Sequence, residues 1–141
     1  MYYTKQPSER QLRVGELIRE GVARILVSGS TDLGSIMDEM IIAVSYVKMA
    51  PDIKLATIYI TIYSTRPADQ TEGHMVPEST QKLVIDALNA QAKEIRRQLA
   101  SLIQMRHIPE IRFIFDKINE EQKKLDNLFR KITMKKDPNP K

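Results

Sequence analysis

The 141-residue chain has no cysteine, no tryptophan and only two histidines, His74 and His107. Zero Cys excludes disulfides, thiolate nucleophiles and Cys-ligated zinc or iron–sulfur sites, and two His leave little for any other transition-metal centre. The expectation is therefore no metal and no cofactor. The five glycines build neither a phosphate-cradling P-loop nor a dinucleotide fingerprint. Gly-x-Ser-x-Gly and His-Glu-x-x-His are missing as well. No apolar run approaches the roughly 20 residues that cross a bilayer, and the first residues lack the apolar core of a secretory signal. A cytosolic protein without a membrane partner is expected.

What is present reads as one globular domain: 42% hydrophobic and 28% charged residues, close to ordinary usage. The net charge of +4 is unevenly spread. Residues 1–116 balance 14 Lys/Arg against 14 Asp/Glu, while residues 117–141 hold eight against four. All of the excess lies in the C-terminal segment.

Periodicity divides the chain into a flexible N-terminus (1–7), a folded domain (8–116), and a basic helix with a disordered tail (117–141). Ser8 and Gln11 form a capping box, after which Val14, Leu17, Ile18, Val22, Ile25 and Leu26 recur at helical spacing. A loop over 28–35 follows. Met40 to Met49 is rich in β-branched residues and ends at the Ala50-Pro51-Asp52 turn. Ala56, Ile58, Ile60 and Ile62 then alternate with Thr57, Tyr59, Thr61 and Tyr63, which predicts a hairpin. Residues 64–78 read as a mobile connection.

A second helical pattern runs from Ser79 to Gln104, with Val84, Leu88, Ala92, Ile95, Leu99 and Leu102 on one face. Straight, it would be roughly 39 Å long, more than a domain this small accommodates, so a kink is expected between Asn89 and Lys93. Ile108-Pro109-Glu110 ends it, Ile111 to Asp116 reads as a third strand, and Ile118, Leu125, Leu128, Phe129 and Ile132 suggest a last helix. The class is α+β with the order α-β-β-α-α-β.

On the long helix, Lys82, Asn89, Lys93, Arg96, Arg97 and Gln104 fall opposite the apolar face, and Arg106 and Arg112 continue the positive charge. Such a stripe is either a solvated face or a surface for backbone phosphates. Arg10, Arg13, Arg19 and Arg24 add charge on the first helix, partly offset by Glu9, Glu16 and Glu20. Tyr59 and Tyr63 either stack on unpaired bases or pack against the C-terminal segment. The C-terminal helix either docks on the domain or binds a membrane or rRNA. His107 is a general base beside Glu110 or Asp116, as in a small nuclease, or a solvated residue at a helix end.

The hairpin Val44 to Thr61 resembles that of the bacterial ribosome-binding factor A family. So do Arg13-Val14-Gly15-Glu16-Leu17-Ile18-Arg19, Ile95-Arg96-Arg97-Gln98-Leu99, and the block Arg106-His107-Ile108-Pro109-Glu110-Ile111-Arg112-Phe113-Ile114-Phe115-Asp116. The resemblance covers about residues 8 to 130. It implies a type II KH-like domain, a three-stranded sheet with helices on one face. It further implies a non-catalytic assembly factor that binds the immature small (30S) ribosomal subunit and its 16S rRNA. Late maturation, 5′-end rRNA processing, growth in the cold and release aided by assembly GTPases go with that family.

Two departures stand out. The family's Ala-x-Gly kink aligns with Gln91, Ala92 and Lys93, and its Asp-Pro-Arg-Leu-Gly loop is replaced by Ser35 to Glu39. The candidate RNA contacts are Lys93, Arg96, Arg97 and Arg106, followed by Arg13, Arg19, Lys54 and Arg112, on a protein expected to be monomeric.

Overall fold

The computed structural model describes residues 6–28, 40–64 and 76–136. The 29–35 part of the first loop, the replaced 35–39 segment, most of the 64–78 connection, His74, residues 1–5 and the 137–141 tail lie outside the described residues.

Helix α1 (Glu9–Ser28) begins at the expected capping box. The Ser8 N–H donates to Gln11 Oε1 at 2.8 Å and the Gln11 N–H donates to Ser8 Oγ at 3.1 Å. Gln11 Nε2 also donates to the Met49 carbonyl at 3.2 Å, which ties the helix start to the first strand. Val14, Ile18, Val22 and Ile25 are buried as their spacing predicts, whereas Leu17 is 37% exposed and Leu26 is half-buried at the margin of the core. The apolar stripe is thus narrower than the sequence pattern. Gly21 marks a close helix crossing, since a Cβ there would stand 2.5 Å from Cδ2 of the buried Leu99.

Strands β1 (Met40–Met49) and β2 (Leu55–Ser64) form the antiparallel hairpin, and β3 (Glu110–Phe115) pairs parallel to β2, so the spatial order is β1-β2-β3. Ala56, Ile58, Ile60 and Ile62 bury one face of β2, as alternation predicts. Ser45 sits in a register shift of β1. Its hydroxyl donates to Asp116 Oδ2 at 2.7 Å, just past the end of β3. The hairpin turn holds Ile53 at φ 62, an unfavourable conformation for a β-branched residue that costs about 1–3 kcal/mol. The Ile53 N–H donates to the Ala50 carbonyl at 2.9 Å, and the Ile53 side chain packs against the core.

The long helical pattern is two helices, α2 (Glu78–Ala90) and α3 (Ala92–Leu102), with the break inside the expected interval at Gln91. Gln91 has φ −96 and ψ 6. Its N–H donates to the Ala87 and Leu88 carbonyls, and its carbonyl accepts from Ile95 N–H at 2.9 Å. Val84, Leu88, Ile95 and Leu99 are buried. Leu102 ends α3 and is exposed. Helices α1, α2 and α3 cover one face of the sheet.

Helix α4 (Lys117–Lys136) follows β3, and its described apolar side chains are not buried against the domain. Ile118 and Phe129 are 80% and 61% exposed, and Leu125, Leu128 and Ile132 are exposed too. Its periodicity supplies an apolar face that the body of the domain does not cover. Tyr59 packs on Tyr46, with ring centroids 5.6 Å apart.

Candidate nucleic-acid interface

The break at Gln91 turns α3 so that its basic side chains border the segment leading into β3. Lys93, Arg96, Arg97 and Arg106 line one concavity of about 480 Å³ together with Ala100, His107 and Ile108. These are the four leading candidates from the sequence. An adjoining concavity of about 370 Å³ is bordered by Ile53, Lys54, Arg96, His107 and Glu110, where the strained turn brings Lys54 in, and a third of about 310 Å³ lies at Arg24 and Arg97. Arg96, His107 and Ile108 are shared walls of the first two, so the cations form one continuous groove.

The groove's arginines are positioned in different ways. Arg96 Nε and Nη2 both donate to the Ile108 carbonyl, at 3.2 and 2.7 Å. Arg96 therefore fastens the chain between α3 and β3 while its remaining N–H donors have no partner among the described residues. Arg97 is paired with Glu94 one turn back, through Nε to Oε1 at 3.0 Å and a second contact from Nη2 to Oε2. Those hydrogen bonds, with another from Gln98, hold the Glu94 carboxyl well below its ordinary value, at about 2. The same pairing raises the Arg97 guanidinium. Lys93, Arg106 and Lys54 are exposed, and their side chains have no hydrogen-bonding or ionic partner among the described residues.

Three candidates lie elsewhere. Arg19 is locked to Glu16 through two hydrogen bonds of 2.8 Å, which lower the Glu16 carboxyl and raise Arg19. Arg13 is exposed on α1 outside the groove. Arg112 pairs in register with Thr57 and donates from Nη2 to its Oγ1 at 3.4 Å, on the sheet face away from the helices. Conversely, Arg24 belongs beside Arg97, a neighbour that charge counting along α1 does not reveal.

Asn89 is a further departure from the helical stripe. Its side chain bonds the backbone of Phe113 and so belongs to the fold's support. His107 lies in the groove and shares a wall with Glu110, whereas Asp116, at the opposite end of β3, bonds Ser45. Among the described residues no cluster of His, Cys, Asp or Glu is placed to hold a metal, and no helix is long and apolar enough to cross a membrane.

An α-β-β-α-α-β chain with a parallel third strand beside the hairpin, and three helices on one face, defines a KH-like domain of type II. The match of residues 10–129 to the Ribosome-binding factor A family places the chain in that family. Ribosome-binding factor A from Rhodopseudomonas palustris is 36% identical over 133 residues, covering 94% of this chain and 87% of the relative. The Rhizobium etli protein of that name is 36% identical over 132 residues, covering 93% and 88%. The crystal structure of ribosome-binding factor A from Thermus thermophilus superposes with a TM-score of 0.50 at 13% identity, covering 74% of this chain and 93% of that one. A solution structure from Thermotoga maritima gives 0.52 at 18%, covering 79% and 91%. At those identities the structures speak to the fold.

Proposed function

We propose that this protein is a ribosome assembly factor that binds the immature small ribosomal subunit and its 16S rRNA through the groove between α3 and β3. The observation that carries the reading is the convergence of Lys93, Arg96, Arg97 and Arg106 on one concavity, with Lys54 in the next. Cations on a rigid frame displace counterions from a phosphate backbone and recognise its course more than its sequence. The family's name supports a ribosomal partner. Binding, and no catalysed reaction, is the activity. The role is support of late maturation, including 5′-end rRNA processing, by a cytosolic monomer that assembly GTPases help to release and that assists growth in the cold.

Co-sedimentation of the full chain with separated ribosomal subunits across a salt series tests this. The expected result is binding confined to small subunits and falling steeply with salt. Replacing Lys93 and Arg106 together by Ala should reduce the log–log salt slope by roughly 1.5. Equal binding to both subunits, or binding indifferent to salt, would refute the assignment.

A further inference from the structure

The sheet face turned away from the helices carries a second pattern. Alternation along the strands puts Lys48, Thr57 and Arg112 in one cross-strand row and Tyr46, Tyr59 and Ile114 in the next. Tyr46 and Tyr59 lie with ring centroids 5.6 Å apart at an interplanar angle of 50°. Tyr46 nevertheless remains 48% exposed. Lys48 and Arg112 are exposed on the outer strands, about 10 Å apart across β2. Neither β1 nor β2 contains an Asp or Glu. On β3, Glu110 stands at the entry to the strand, and Asp116, beyond its end, accepts a hydrogen bond from Ser45.

We propose that this face is a second RNA surface, specific for unpaired bases: a base stacks on Tyr46 while Lys48 and Arg112 meet the phosphates on either side. The inference rests on the RNA-binding reading above and gives Arg112 a role apart from the groove. The chemistry selects the occupant. An aromatic ring accepts the π-face of any base, and cations without neighbouring acids on β1 and β2 favour a polyanion. A duplex keeps its base faces stacked on each other and presents none to Tyr46. An apolar peptide would leave Lys48 and Arg112 without counter-charge.

Fluorescence anisotropy with a labelled oligouridylate of about ten nucleotides, and with an RNA duplex of similar length, tests the proposal on the full chain. Tyr46→Ala should weaken oligouridylate binding about 5- to 100-fold, while Tyr46→Phe, which keeps the ring, stays within about twofold. Duplex binding should be nearly unchanged by either. The Lys93→Ala/Arg106→Ala variant should weaken both RNAs. Equal loss on both RNAs for Tyr46→Ala, or no loss on oligouridylate, overturns the platform.

Ultraviolet crosslinking of oligouridylate to the unsubstituted protein removes any dependence on a variant's folding. Crosslinks in the peptide containing Tyr46 support the platform, and crosslinks confined to α3 and residues 103–109 overturn it. Failure of subunit co-sedimentation alongside a retained Tyr46 effect would remove the ribosomal partner and leave the platform standing. Binding of RNA-free ribosomal protein that depends on Tyr46, with RNA binding unaffected, would assign the face to a protein instead.

Discussion

Asn89 and Phe113 exchange two hydrogen bonds: Asn89 Nδ2 donates to the Phe113 carbonyl at 3.0 Å, and the Phe113 N–H donates to Asn89 Oδ1 at 2.9 Å. One side-chain amide thus satisfies the outer edge of β3 at this residue, as a neighbouring strand would. It also fixes the end of α2, two residues before the break that aims α3.

Asn89→Ala should therefore lower stability by about 1–3 kcal/mol, because both backbone groups lose their partner. Asn89→Asp keeps the acceptor and loses the donor, so an intermediate loss is expected. Denaturant melts of the two variants check this, and wild-type stability in Asn89→Ala would contradict it.

Arg96→Ala should free the segment between α3 and β3, raising hydrogen exchange of the 103–109 amides about fivefold for a hydrogen bond of roughly 1 kcal/mol. Arg96→Lys should recover only part of the protection, since an ammonium lacks the guanidinium fork that meets the Ile108 carbonyl twice. Arg97→Ala should leave exchange there unchanged, which separates the two arginines' contributions.

The Glu94 carboxyl, held at about 2 against its usual 4.5 by hydrogen bonds from Arg97 and Gln98, gives a pH signature. Its folded value is depressed, so the pair's contribution is complete above about pH 4.5 and is lost as pH falls towards 2. Carboxyl NMR titration of Arg97→Ala should show Glu94 moving up towards its ordinary value, with Gln98 still holding it partly down. An unmoved titration would show that Arg97 is not the controlling partner.

Much of the frame is legible in sequence because its causes are local or periodic. The Ser8–Gln11 box, the alternation over Ala56 to Ile62 and the break near Gln91 all appear where spacing and helix length put them. The convergence of Lys93, Arg96, Arg97 and Arg106 is partly legible as a stripe. What escapes is set by contacts distant in sequence. A helical wheel sends Asn89 to solvent because it has no term for a sheet edge 24 residues away. It cannot tell that Arg96 reaches the Ile108 carbonyl, or that Arg112 falls on the other side of the sheet. For α4, periodicity reports an apolar face and is silent on what covers it.

The backbone at Gln91 changes direction in a conformation open to any L-residue, with its N–H and carbonyl both occupied. Position 93 is thereby released from conformational duty. A bend that depended on glycine would have to keep that position bare; one maintained by hydrogen bonding lets the same position present an ammonium group at the mouth of the groove. Shape and charge, which a glycine hinge would set in competition, are here assigned to different atoms of adjacent residues.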